Sequence, residues 1–172
     1  MRLVALPKKT LNLLAKNNRE ELREVERAAG VKIKLSEEDA EIEAGADNPG
    51  SEWEAEQVLL ALEAGFPAKQ ALKLLKEDYF MEKIDLGQAF RGNESQVTRY
   101  KARVIGSEGR AKKKIEEITG AFVAVGDESV AVIGKFEELK DAKEAVIRLL
   151  EGAPHANVFH FLERKKKREE SA

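Results

Sequence analysis

The sequence predicts an α/β (α+β) chain made of two similar small domains, each a three-stranded sheet packed by helices. Two observations predict it. Shifted by 90 residues, the first half aligns with the second without a gap: Leu14 falls on Val104, Val25 on Ile115 and Gly30 on Gly120. In the same frame Val31-Lys32-Ile33-Lys34-Leu35 falls on Ala121-Phe122-Val123-Ala124-Val125, with the alternate apolar positions matched. A repeat of that length is too long for a solenoid unit and suits a duplicated domain. The second observation is that both halves follow one order: strand, helix, turn, helix, strand, strand, helix.

In the first half, Leu3 to Leu6 reads as a short strand and Pro7 opens a helix over Lys8 to Leu14, as proline does at a first helical position. Arg19 to Ala29 is a second helix, with Leu22 and Val25 on one face and Gly30 ending it. Val31 to Leu35 and Ala40 to Ala44 alternate as half-buried strands. Asn48-Pro49-Gly50 forms a turn, Ser51 the N-cap and Glu54 the return arm of a capping box. The helix that follows reaches about Ala64 with Trp53, Val58, Leu59 and Leu62 as its apolar face. Gly65-Phe66-Pro67 then starts a short helix, Ala68 to Leu75, with Ala71, Leu72 and Leu75 facing inward. Tyr79, Phe80 and Met81 are too apolar for a free linker, so the two domains are expected to be closely associated. The expected organisation is a first domain over 1–65, a helical linker over 66–81 and a second domain over 82–172.

In the second half a strand is expected within Glu82 to Ala89 and a helix over Ser95 to Ile105. Gly106-Ser107-Glu108-Gly109 is a turn between two helices, the second running Arg110 to Thr119 and closed by Gly120. Strands at Phe122 to Val125 and Ser129 to Ile133 and a helix over Glu137 to Leu150 complete the half. A glycine-edged turn lets another backbone approach closely. The basic helix behind it offers N–H groups, a favourable dipole end and cations to phosphate. In a chain with 12 glycines one such pair is expected by chance, so the flanking pattern carries the weight.

Charge is distributed to match. The formal net charge is −2, yet residues 1–86 hold 13 basic and 18 acidic residues and residues 87–172 hold 17 and 14. A phosphate-binding surface is therefore expected to be local and in the second half. Charged residues make up 36% of the chain, a salt-bridge-rich surface of the kind found in thermophiles and in assembly proteins. With no cysteine, disulfides, thiol nucleophiles and Cys-ligated zinc are excluded. Neither an N-terminal apolar signal nor an apolar run of spanning length is present, so no membrane role and an intracellular location are expected.

Ile105-Gly106-Ser107-Glu108-Gly109, followed by Ile115 and Thr119-Gly120, resembles the core signature of a type I KH domain. The stretches Gly65-Phe66-Pro67…Ile84-Asp85-Leu86 and Gly152-Ala153-Pro154-His155…Phe161-Leu162-Glu163 are similar to archaeal two-KH ribosome-assembly proteins, the counterparts of partner of Nob (Dim-two). The resemblance covers essentially the whole chain and implies two type I KH domains in tandem. It further implies a cytoplasmic factor that binds small-subunit rRNA near its 3′ end. A Nob-type 3′-end endonuclease, and a translation initiation factor, are the protein partners it implies. It implies no cofactor, no metal and no catalysis.

A KH module clamps about four nucleotides, with the nucleic-acid backbone on the turn. Carried onto this chain, Gly106 and Gly109 permit close approach and Ser107 bonds a phosphate oxygen. Arg110, Lys112 and Lys113 supply charge, while Val104, Ile105 and Val123 line the groove. Glu108 departs from the family pattern, where a basic residue is common, and should weaken the grip. In the first module Lys16-Asn17-Asn18-Arg19 stands opposite the glycine turn, so both glycines are gone. Asparagine tolerates positive φ, so the turn itself can survive. A structural or protein-binding role is expected there, with Lys16 and Arg19 kept as candidate secondary RNA contacts.

The run Arg164-Lys165-Lys166-Lys167-Arg168 is the densest basic patch, either a solvated terminus or a non-specific phosphate contact. The acidic run Glu37-Glu38-Asp39 with Glu41 and Glu43 lacks the glycine and spacing of a calcium loop. There is no phosphate-binding G-x-x-x-x-G-K-[ST] loop and no G-x-S-x-G elbow. His155 and His160 are five apart without a third ligand, which fits capping or packing. Two classes of function stay open at this stage: an RNA-binding assembly factor working through its second module, and a protein-interaction scaffold with incidental RNA contact.

Overall fold

The computed structural model describes residues 1–45 and 48–171; Ala46, Asp47 and Ala172 lie outside them. The chain divides into two compact units, Met1–Glu77 and Asp78–Ala172. Each holds one antiparallel three-stranded sheet with helices against it, the architecture the repeat predicts.

The first unit runs β1 (Arg2–Ala5), α1 (Lys8–Ala15), α2 (Glu20–Ala29), β2 (Val31–Leu35), β3 (Asp39–Ala44) and α3 (Ser51–Ala64). Its sheet order is β1-β3-β2, with Ile42 opposite both Arg2 and Ile33. Alternation in β2 puts Val31 and Ile33 inward and Lys32 and Lys34 outward. Leu22 and Val25 on α2 and Val58 and Leu59 on α3 are fully buried. Gly30 ends α2 in the left-handed region, its N–H on the Glu26 carbonyl at 3.0 Å.

Three local expectations are corrected here. Trp53 is 55% exposed, because the buried stripe of α3 is Ser51, Ala55, Val58, Leu59, Ala61 and Ala64, and Trp53 lies well round the helix from it. Ser51 is the first helical residue, not the cap. It is fully buried and its Oγ donates to the Asn48 carbonyl at 2.7 Å, leaving Gly50 as N-cap. In the stretch expected as one helix, α4 covers only Ala68–Ala71 and tightens into a 3₁₀ turn over Leu72–Leu75. A 3₁₀ turn has about three residues per turn. It therefore buries Leu74 directly above Ala71 and leaves Leu72 and Leu75 only half-buried. Both segments pack on α3. Much of the stretch expected as a linker thus belongs to the first unit, and the division between units falls after Glu77.

The second unit runs β4 (Phe80–Asp85), α5 (Leu86–Ala89), α6 (Glu94–Ile105), α7 (Arg110–Thr119), β5 (Phe122–Val125), β6 (Ser129–Gly134), α8 (Phe136–Leu150) and α9 (His155–Ser171). Its sheet order, β4-β6-β5, repeats the first. The strand expected within 82–89 starts earlier, since Phe80 and Met81 pair with Gly134 and Ile133. From Leu86 the chain is helical, capped by Asp85, whose carboxylate accepts from the Gln88 N–H at 3.0 Å. Val104, Ile115, Val123, Val132, Val146, Leu149, Val158 and Leu162 share one core. Asn93 caps α6, accepting from the Gln96 N–H at 3.2 Å. Asn93→Ala is expected to cost about 1 kcal/mol, read as a lower urea midpoint. No helix among the described residues is long and apolar enough to cross a membrane.

Candidate nucleic-acid interface

The glycine turn is built by backbone that only glycine adopts freely. α6 ends at Ile105 and Gly106 turns the chain at φ 75°, ψ 174°. Glu108 (φ 56°) and Gly109 (φ 74°) are left-handed, and α7 begins at Arg110. A Cβ on Gly106 would lie 2.6 Å from the Ala111 Cβ and 2.7 Å from its nitrogen. The turn is drawn tightly onto the first residues of α7. At Gly109 the space is open, with nothing within 4 Å of a Cβ. Two donors are spent inside the turn: Gly109 N–H on the Gly106 carbonyl at 3.2 Å, and Arg110 N–H on that of Ser107. Among the described residues no side chain caps α7, so N–H groups of its first turn and the positive end of its dipole are not neutralised by a cap.

The side chains around the turn divide clearly. Ser107, Glu108, Arg110 and Lys113 are exposed. Arg110 reaches Glu108 at 3.3 Å, both side chains 77% exposed; such an exposed pair contributes little to stability. Lys112 is half-buried and sits on Glu116 at 3.2 Å. Val104 and Val123, expected to line the groove, are instead core side chains, 0% and 1% exposed. On β5 both Val123 and Ala124 are buried, and Val123 meets the surface only through its backbone edge, whose N–H donates to Glu116 at 3.2 Å. Ile105, at 36% exposed, is the apolar side chain that reaches the surface beside the turn.

Behind the turn, α6 is braced. Arg103 donates to the carbonyls of Leu149 (3.1 Å) and Ala153 (2.7 Å), and His155 Nε2–H donates to the Arg103 carbonyl at 2.8 Å. His155 thus satisfies one of the orphan carbonyls at the end of α6, the first of the two roles, capping or packing, expected of both histidines; the core packing expected as the alternative is not what His160 does. His160 is 72% exposed.

The residues of the first unit opposite the glycine turn keep much of its shape. Asn18 (φ 58°, ψ 27°) reproduces Glu108 (φ 56°, ψ 27°), and Arg19 (φ 60°, ψ 32°) stands close to Gly109 (φ 74°, ψ 13°). Lys16 escapes the glycine requirement by taking φ −74°. Helix α2 follows α7 residue for residue, and one hydrogen bond is duplicated. Glu26 accepts from the Ile33 N–H at 2.7 Å, and Glu116, 90 residues on, accepts from that of Val123 at 3.2 Å. The same shift that aligns the glycines pairs these two acids, a signal present in the sequence and overlooked there.

Residues 80–167 match the model of the eukaryotic type KH domain (KH-domain type I), in its form for the second domain of PNO1. Over 169 residues the chain is 34% identical to KH domain-containing protein MJ0443 of Methanocaldococcus jannaschii, covering 96% of this chain and 74% of that protein. The chain belongs to the PNO1/Dim2-like KH family. Pre-rRNA-processing protein PNO1 of Coccidioides immitis is 26% identical over 111 residues, which span 64% of this chain and 44% of the fungal protein, so less than half of that relative is represented here. A chain in the crystal structure of an a/eIF2alpha–aDim2p–rRNA complex from Pyrococcus horikoshii OT3 superposes with a TM-score of 0.87 at 31% identity, covering 96% of this chain and 93% of that one. In this PNO1/Dim2-like chain the β1-β3-β2 and β4-β6-β5 sheets are the sheets of two KH domains, and the glycine turn lies in the second.

The basic run of residues 164–168 lies on α9. α9 packs on α7 and α8 through Val158 and Leu162. Lys114 lies over the Phe159 ring at 5.0 Å, and Arg148 over that of Phe161 at 3.6 Å. Lys165 is drawn back into the domain: its ammonium meets the Asp141 carboxylate at 2.6 Å. Glu137 and Glu169 lie close to that carboxylate, and burial together with Asp141 raises the Glu169 pKa above its ordinary value. Arg164, Lys166, Lys167 and Arg168 are exposed.

Proposed function

We propose that the chain is an RNA-binding small-ribosomal-subunit assembly factor that holds single-stranded rRNA near the 3′ end of the small-subunit RNA, through its second KH domain. The observation that carries this is the Gly106–Gly109 turn at the uncapped start of basic α7, kept in one domain of a duplicated pair. Phosphates lie along the turn, within reach of Ser107 and of Arg110, Lys112 and Lys113 as Arg110 leaves Glu108. Bases lie beyond it, against Ile105 and the edge of β5. Glu108 limits the affinity of this contact, and neighbouring contacts share the load. The exposed tail residues Arg164, Lys166, Lys167 and Arg168 add phosphate contacts without sequence preference, whereas Lys165 is reserved for Asp141. The role is binding, not catalysis. A Nob-type 3′-end endonuclease is the enzyme such a factor would position, an initiation factor a second protein partner, and the cytoplasm the place of both encounters.

The test is a salt titration with a single-stranded oligonucleotide copying the small-subunit rRNA 3′ end. Each phosphate neutralised contributes about 0.7 to the slope of log affinity against log salt. Changing Arg164, Lys166, Lys167 and Arg168 to Ala, with Lys165 kept on Asp141, is expected to make that slope shallower by about 1–3 while binding persists. Salt-independent binding, or none, would remove the proposal.

A further inference from the structure

The first KH domain keeps the turn and the strand edge of the second but fills that edge with its own side chains. β2 pairs with β3 on one side only, and the N–H and C=O of Ile33 lie on its free side. Both are occupied. The N–H donates to Glu26 Oε1 at 2.7 Å, and the carbonyl accepts from the Arg19 guanidinium at 2.9 Å. In the second domain the acid is present as Glu116, but the position of Arg19 is Gly109, which has no side chain to lay across the strand. Room is not what the first domain lacks. A depression of about 690 Å³ persists beside its turn, lined by Asn17, Asn18, Glu20, Arg23, Glu26 and Arg27. Arg23 and Arg27 stand against Glu20 and Glu26 in that lining, with Arg19 beside it, so cations are present there.

We propose that Arg19 and Glu26 form a clasp that shuts the first domain's groove against single-stranded RNA by consuming both polar atoms of Ile33. A base brought to this edge finds neither a free donor nor a free acceptor, and unpaired polar groups at a desolvated contact are costly. Arg19 carries the difference between the domains. Its left-handed backbone, ordinarily unfavourable for a side chain, is held while its guanidinium spans from the turn to the strand. The inference rests on the RNA reading of the second domain and says why the first does not share it.

The experiment uses the full chain with the second turn silenced by Gly109→Asp, and single-stranded RNA of random sequence as probe. Adding Arg19→Gly with Glu26→Ala is expected to raise affinity at least tenfold over the silenced parent, with amide shifts at Ile33 to Leu35 on titration. Both changes suit their backbone, since glycine is at ease at φ 60° and alanine within a helix. The reciprocal variant is Gly109→Arg in the otherwise native chain. A free cation there would tighten RNA binding; a clasp on Val123 weakens it at least tenfold. No gain in the opened first domain, with circular dichroism unchanged, overturns the clasp, as does tighter binding by Gly109→Arg. A native chain that binds no RNA overturns the second-domain reading and the clasp with it, a result separable because it appears before any substitution.

Discussion

Gly106→Ala is expected to destabilise the second domain by about 2–4 kcal/mol and to abolish its RNA binding. The backbone at φ 75°, ψ 174° lies in a region essentially closed to side chains. The added methyl would also meet Ala111 at 2.6–2.7 Å, partly on its backbone nitrogen, which cannot swing aside as a flexible side-chain end can. Relief requires α7 to back away from the turn, and α7 carries Ile115, fully buried in the core. The unfolding transition that carries the second-domain signals should move to lower urea, while the first domain's stays in place. A Gly106 variant therefore reports on architecture as much as on RNA and is the wrong position for isolating the contact.

Gly109 is the right one. Its left-handed φ of 74° costs an alanine about 1–2 kcal/mol, and the space around it is open. Gly109→Asp places a negative charge on the path proposed for the phosphate backbone and is expected to weaken rRNA binding tenfold or more, about 1.4 kcal/mol for each factor of ten. The same change should leave the fold in place, because Arg19 shows a side chain accepted in nearly the same conformation one repeat earlier. Gly109→Ala, adding bulk without charge or reach, is expected to keep most of the affinity. Lys16→Ala in the first domain is expected to change it by less than about twofold, since a single exposed charge in the closed domain contributes little. Fluorescence anisotropy with the 3′-end oligonucleotide measures all three.

Much of this molecule is legible in its sequence because it is written twice. The 90-residue shift finds α2 and α7, and β3 with β6, residue for residue, and the capping glycines Gly30 and Gly120 mark the helix ends. What the sequence hides is rotation and reach. Trp53 reads as core by hydrophobicity and stands outside because Ala55 and Val58 set the buried stripe. Leu74 replaces Leu72 and Leu75 because a helix tightened to 3₁₀ there. Val104 and Val123 are apolar beside the turn, yet apolarity cannot distinguish a groove wall from the core behind it. Hardest to read is Arg19. A basic residue in a turn next to an RNA-binding motif reads as a phosphate contact, and only its 2.9 Å bond to the Ile33 carbonyl shows its guanidinium laid on the strand edge.

The asymmetry between the two turns is the centre of this account. Amide chemical-shift mapping of the native chain during titration with the rRNA 3′-end oligonucleotide tests it most directly. The expected shifts fall on Ile105 to Lys113 and on Phe122 to Val125, with Lys16 to Glu20 and Val31 to Leu35 unmoved. Shifts of equal size on both sets, or on the first domain alone, would contradict it.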